Sequence, residues 1–130
     1  MSGIISIGTD IVHIPRLEKA WQRWGNRFAG KVLHDAEQAM FAELGSDPDC
    51  TTFLAKRFCA KEAVAKCLGT GLKGGVTLAQ IEVTRGRHGR PGIKLHGRAA
   101  EVAKKLGGEQ VMLSLSDEKE YAVAFAVLSA

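Results

Sequence analysis

Residues 56–71 read Lys-Arg-Phe-Cys-Ala-Lys-Glu-Ala-Val-Ala-Lys-Cys-Leu-Gly-Thr-Gly, and after the leading Lys56 they set Arg57, Lys61, Glu62 and Lys66 into a run built mostly of Ala, Cys, Val, Phe and Leu. Such residues form a helix that packs closely against its neighbours. Charge on a helix of that kind is costly to bury unless something compensates it. A metal ion and a phosphorylated ligand would compensate all four. A half-exposed amphipathic helix with an i,i+4 pair between Glu62 and Lys66 explains the pattern equally well.

At 130 residues the chain is expected to be one domain, residues 1–130, able to bury ~65–70% of its unfolded surface. No apolar run is long enough to span a membrane. The N-terminal Met-Ser-Gly-Ile-Ile-Ser-Ile-Gly lacks a basic lead and a signal-type apolar stretch, so it reads as a first strand and the protein is expected in the cytoplasm. Cys50, Cys59 and Cys67 are odd in number with no C-x-x-C spacing, which points to neither a disulfide framework nor a zinc site. A formal net charge of +4 favours an anionic partner, whether phosphate ligand, acidic protein or nucleic acid. With one Tyr, five Phe and no basic–aromatic alternation, a single-stranded nucleic-acid platform has little support.

Ile4–Asp10 reads as a short central strand ending on a carboxylate. Pro15 suits the first turn of a helix, whose apolar stripe is Ile14, Leu17, Trp21, Trp24 and Phe28. Off that stripe, Arg16, Lys19, Arg23 and Arg27 form a basic ridge with only Glu18 among them; it is either a solvated face or a dock for an acidic partner. Asp35-Ala-Glu-Gln38 resembles a capping box opening a helix through Leu44, closed by Gly45. Residues 46–50 read as a polar loop, and the central helix runs from Thr52 to Leu68. Ile81–Thr84 and Ile93–Leu95 read as strands joined around Gly89, Arg90 and Pro91. A short helix follows over Ala99–Leu106. Val111–Ser116 and Tyr121–Leu128 make a final hairpin, whose second strand alternates poorly and is expected to be buried on both faces. The order β-α-α-α-β-β-α-β-β, without strict βα alternation, predicts an α+β fold with an antiparallel-rich sheet packed on the long helix.

Gly69, Thr70 and Gly71, followed by Gly74-Gly75, could bring backbone amides to a phosphate, but they follow a helix C-terminus, where the dipole repels anions, so a cap and turn is the simpler reading. His13, His34, His88 and His96 show no ligand spacing and are expected at the surface or in turns. Ser114 and Ser116 follow the period of a strand, and no nucleophile elbow is present. Two carboxylates remain, Asp10 and Glu62. Magnesium suits such a pair, since it binds few protein carboxylates and fills its shell with water and phosphate oxygens; Asp10 as a cap of the following segment is the alternative.

Ile7-Gly-Thr-Asp10-Ile-Val, the later Arg16, and Arg57-Phe-Cys-Ala-Lys61-Glu62-Ala-Val-Ala-Lys66-Cys-Leu-Gly-Thr-Gly71 resemble the holo-acyl-carrier-protein synthases, the small group I 4′-phosphopantetheinyl transferases of bacteria. The resemblance runs the whole length of the chain. It implies Mg²⁺-dependent transfer of the phosphopantetheine arm of coenzyme A to a serine of apo acyl carrier protein, releasing adenosine 3′,5′-bisphosphate, with fatty-acid synthesis the usual customer. It implies that Asp10 and Glu62 hold the magnesium and that Lys66 reaches the same phosphates. Arg57 and Lys61 would hold phosphates of the nucleotide half, with Gly69, Thr70 and Gly71 beside the ligand. The family's members are homotrimers with the site at a subunit boundary, so Gly89, Arg90 and Pro91 would serve a neighbour's ligand. Arg16, Lys19, Arg23 and Arg27 become the dock for the acidic carrier. Many members carry His where this chain has Met112, and again after the Ser/Thr pair where it has Asp117-Glu118, so roles tied to those histidines do not carry over.

Such a reaction is catalysed by positioning and charge neutralisation, and a base, either Glu62 or a water oriented by a carboxylate, must take the serine proton. Two other classes remain open at this point: a non-catalytic binder of coenzyme A or nucleotide, and a basic RNA-binding domain whose affinity would fall steeply with salt.

Overall fold

In a computed structural model that describes residues 3–130, the helix of residues 56–71 proves longer than its apolar part. Met1 and Ser2, part of the N-terminal stretch read as lacking a signal, lie outside the described residues. Helix α4 spans Asp47–Cys67. It starts five residues before Thr52 because Ser46 accepts from the Asp49 N–H, Pro48 fits the first turn, and Asp47 and Asp49 place acid at the positive end of the dipole. The polar loop expected over residues 46–50 is therefore its first turn.

Around α4 the chain lays down β1 (Ile4–His13), α1 (Ile14–Trp24), α2 (Asn26–Val32), α3 (Asp35–Ala42), β2 (Ile81–Arg85), β3 (Pro91–Leu95), α5 (Gly97–Lys105), β4 (Gln110–Asp117) and β5 (Tyr121–Ser129). One antiparallel sheet has the order β1-β5-β4, and β2 and β3 form a separate hairpin. The α+β architecture with antiparallel sheets is as the sequence predicts. The stripe from Ile14 to Phe28 is broken at Gly25 (φ 52°), which separates α1 from α2 and leaves Trp24 exposed rather than in the core. The capping box lies one residue earlier than expected: the N-cap is His34, its ring accepting from Ala36, and Glu37 returns the bond to the His34 N–H. Among the described residues no helix is long and apolar enough to cross a membrane.

The sheet meets α4 along a seam of small residues. Asp10, Ala122, Ala124 and Ala126 face the helix, while Ile7, Ile11, Val123 and Phe125 face away. Cys59, Ala63 and Cys67, each four apart, form the opposing stripe. Cys59 Sγ lies 3.3 Å from the Asp10 carbonyl oxygen, and Cys67 Sγ 3.2 Å from that of Ala126. Ser6 donates to the Cys67 carbonyl. At Gly8 the backbone is ordinary strand, yet a Cβ there would overlap the Ala63 carbonyl oxygen, so only glycine lets the strand come this close.

Strand β5 is a correction. It alternates cleanly, with Ala122, Ala124, Ala126 and Leu128 buried but Tyr121, Val123 and Phe125 between 40% and 45% exposed. Its poor sequence alternation reflects apolar residues on both faces, only one of which the single chain covers.

Gly8→Ala should lower stability by about 1–3 kcal/mol, the cost of overpacking a well-filled seam. A chemical denaturation midpoint unchanged from wild type would contradict this packing.

Candidate active site

Asp10 points at α4 from the inward face of β1, and the helix brings Glu62 and Lys66 to the same side of the seam one turn apart. Lys66 Nζ donates to the Thr9 carbonyl at 2.8 Å and lies 3.2 Å from Asp10 Oδ1. Burial raises the Glu62 carboxyl above the usual carboxylate range, and the Asp10 charge raises it further, while Lys66 and Arg16 pull it back. Asp10 and Glu62 therefore share one local field, and Arg16 of the basic ridge also acts on it. The Cys59 thiol, which holds the Asp10 backbone, is pushed up to about 12 by burial first and then by Asp10, so it stays protonated.

The pair fits a hard divalent cation. Its donors are carboxylate oxygens, the repulsion between them is opposed by Lys66 and Arg16, and both side chains retain access to solvent. Asp10 and Glu62 are the residues that would hold magnesium.

A second feature is a cleft of about 720 Å³ between the β2–β3 hairpin and edge strand β4. Its basic wall is Lys56, Arg57, Arg85 and Arg90, with Gly89, Pro91, Met112 and Ser114 completing it. Arg57 is only 8% exposed: its Nε lies 3.0 Å from Glu37 Oε2, off the line of a good hydrogen bond, and its guanidinium stacks 3.8 Å over the Phe53 ring. Burial lowers its pKa, and Glu37 works against that. Asp117 Oδ1 lies 3.5 Å from Lys56 Nζ.

Lys61 is a correction. It is fully buried, donating to Glu37 and, at 2.6 Å, to the Val32 carbonyl, so it cannot reach a phosphate. Burial lowers its pKa and Glu37 opposes the shift. Glu37, itself 3% exposed, also accepts from the backbone N–H of His34 at 2.8 Å and of Val83 at 3.3 Å. Only its capping-box spacing marked Glu37 in the sequence. Gly69 and Gly71 close the helix, donating to Lys66 O and Ala65 O, which commits the two amides expected to approach a phosphate; the loop lies just beyond Lys66. Arg16, Lys19, Arg23 and Arg27 are all exposed, with Arg23 and Arg27 held 4.9 and 5.7 Å over the Trp24 ring. Beside them Ala20, Trp24, Phe28 and Lys31 line a groove of about 340 Å³.

The histidines are not all isolated. His34 and His96 stack with centroids 4.1 Å apart, and Glu82 lies against both. Their separations of 48 and 14 residues carry no local signal; only the tertiary fold brings them together.

Residues 6–126 match the 4′-phosphopantetheinyl transferase superfamily. The holo-[acyl-carrier-protein] synthase of Halorhodospira halophila is 51% identical over 125 residues, covering 96% of this chain and 97% of its own. The Plasmodium yoelii acyl carrier protein synthase solved with ADP bound superimposes at a TM-score of 0.90, with 33% identity and 100% and 98% of the two chains covered. A holo-(acyl-carrier-protein) synthase of Bacillus anthracis, solved in complex with coenzyme A (3′,5′-ADP), gives a TM-score of 0.80 at 33% identity, covering 98% and 97%. The chain belongs to the holo-[acyl-carrier-protein] synthase family of 4′-phosphopantetheinyl transferases.

Proposed function

We propose that the protein transfers the 4′-phosphopantetheine arm of coenzyme A to a serine of an apo acyl carrier protein, releasing adenosine 3′,5′-bisphosphate, with Asp10 and Glu62 holding one magnesium ion. The observation that carries this is the pairing of Asp10, Glu62 and Lys66 between β1 and α4, in a chain whose relatives have been solved with ADP and with coenzyme A. Magnesium, when bound, would neutralise the diphosphate and polarise the phosphorus under attack.

The chain's own residues do the rest. Lys66 is 51% exposed at its side chain, so its ammonium is free to leave Asp10 for a phosphate oxygen and to offset charge growing on the leaving group. Glu62, whose carboxyl burial holds above the usual carboxylate range, is our assignment for the group that accepts the serine proton. The basic cleft suits the phosphates of the nucleotide half, with Arg57 held ready by Glu37 and Phe53.

Arg57 and Glu62 are five residues apart, roughly 140° around the helix and about 7.5 Å along it. Cleft and acid pair thus face different directions within one protomer. A neighbour seated on the exposed sheet face of Ile7, Ile11, Tyr121, Val123 and Phe125 would cover that apolar surface and could set its cleft against this chain's acid pair. This supports the homotrimer and the service of Gly89, Arg90 and Pro91 to a neighbour's ligand. The exposed ridge of Arg16, Lys19, Arg23 and Arg27, with its groove, suits an acidic carrier, and the carrier of fatty-acid synthesis is the substrate the resemblance names. The same reading puts the reaction in the cytoplasm.

Incubated with coenzyme A and magnesium, the protein should add the mass of one phosphopantetheine arm to an apo carrier. Glu62→Gln should cut that rate by about 10²–10³-fold. The raised Glu62 pKa means that its charged form destabilises the fold above that pKa, so the same variant should melt higher than wild type at neutral pH without metal. Absence of mass gain on any carrier would favour a non-catalytic binder, and near-normal turnover by Glu62→Gln would remove both of its roles.

Replacing Arg23 and Arg27 together by Ala should raise KM for the carrier about 5–10-fold, leave kcat near wild type and flatten the salt dependence of kcat/KM. Unchanged KM at low salt would remove the ridge from carrier docking.

A further inference from the structure

We propose that Lys61 and Glu37, both buried away from any ligand, are positioning residues for the nucleotide phosphates of coenzyme A, acting through Arg57. This rests on the transfer reading above and deepens it at the basic cleft. Glu37 fixes the guanidinium, and Lys61 supplies the second positive charge that leaves Arg57's own free for a phosphate. Lys61 is 0% exposed, Glu37 3% and Arg57 8%. Of the three, only Arg57 borders the cleft.

The Glu37 carboxylate divides its oxygens between two tasks. Oε1 accepts from Lys61 Nζ and, at 2.8 Å, from the His34 N–H. Oε2 accepts from the Val83 N–H at 3.3 Å and lies 3.0 Å from Arg57 Nε. With Oε1 taken, Arg57 meets the carboxylate at one oxygen rather than as the two-pronged pair that arginine forms with a free carboxylate. Its Nη2 turns to the weak acceptor Met40 Sδ at 3.7 Å, and its face lies 3.8 Å over the Phe53 ring. The guanidinium is thus held by its inner edge and its face, and its terminal nitrogens keep donors for the cleft.

Charge balance gives Lys61 its part. A carboxylate paired with Arg57 alone would cancel it and leave the cleft no net charge from the pair. Two cations against one carboxylate leave a positive charge over, and the surplus sits at Arg57, the member that borders the cleft. Both acceptors on the Lys61 ammonium, the Glu37 carboxylate and the Val32 carbonyl at 2.6 Å, favour its charged form. Solvent screens a buried charge little, so the surplus is felt in the cleft although Lys61 never reaches it. A phosphate entering there supplies the anion that the buried set lacks.

The test is calorimetric titration of coenzyme A, in magnesium buffer at neutral pH, into wild type, Lys61→Met and the double variant Glu37→Gln/Lys61→Met, each with and without Arg57→Ala. Arg57→Ala alone should weaken binding roughly 10–100-fold. Lys61→Met lets Glu37 cancel Arg57, and the double variant keeps the Arg57 charge but frees it from its anchor; each should weaken binding roughly 5–10-fold. Neither should weaken it further once Arg57 is replaced by Ala. A merely structural pair would lower the melting temperature and the fraction of protein that binds, and leave the dissociation constant unchanged. If Lys61→Met fails to fold, the double variant decides, since removing both charges of a buried pair is tolerated where removing one is not. The proposal is overturned if a folded variant binds coenzyme A as tightly as wild type, or if its loss recurs in full on the Arg57→Ala background. Transfer to a carrier is scored separately: its absence with this affinity pattern intact removes the transferase reading alone, and no binding by wild type overturns both.

Discussion

A strand and a helix that touch backbone to backbone govern the rest of this protein. Gly8 removes a side chain that would hold β1 away from α4, and Cys59, Ala63 and Cys67 remove bulk from the facing stripe. Cysteine serves here as a small residue whose weak S–H also reaches a strand carbonyl, Asp10 for Cys59 and Ala126 for Cys67. The consequence is chemical: Asp10, on the strand, comes under the influence of Glu62 and Lys66, on the helix. A seam a side chain wider would separate those charges, and with them any shared cation.

The charges on α4 divide by helical phase. Glu62 and Lys66 lie toward β1 and keep access to solvent, where Lys66 can exchange one anionic partner for another. Lys61 lies on another face and is sealed in the core, where only Glu37 and the Val32 carbonyl make its charge tolerable. Arg57 stands between these cases, bound to Glu37 inside while its guanidinium borders the cleft. One buried carboxylate thus ties together α3, α4 and β2, and sets the orientation of an arginine at the ligand side.

Much of this was legible in the sequence because it is local or because the motif is specific. The α+β order, the central helix and the two carboxylates followed from periodicity, small-residue composition and the Ile-Gly-x-Asp and Lys-Glu-Ala-x-x-Lys patterns. What was not legible depends on which face of an element meets what. The spacing of Lys61 from Glu62 and Lys66 cannot say that one is buried and the others are not; that is decided by α2 and α3 packing over one face. Trp24 fits the apolar stripe by number, yet Gly25 ends the helix there. The apolar outer side of β5 resembled a buried strand because the chain alone does not cover it. Glu82 and the two histidines lie too far apart in sequence for any pattern to join them.

The central claim is that Asp10 and Glu62 share one divalent cation beside the diphosphate of coenzyme A. Electron–nuclear double resonance of the protein with Mn²⁺ and coenzyme A tests it directly, since phosphorus coupling reports a manganese ion bound to the phosphates. Wild type should show that coupling from one bound Mn²⁺, and Asp10→Asn and Glu62→Gln should each lose it. Coupling that persists at full strength in either variant would contradict the account.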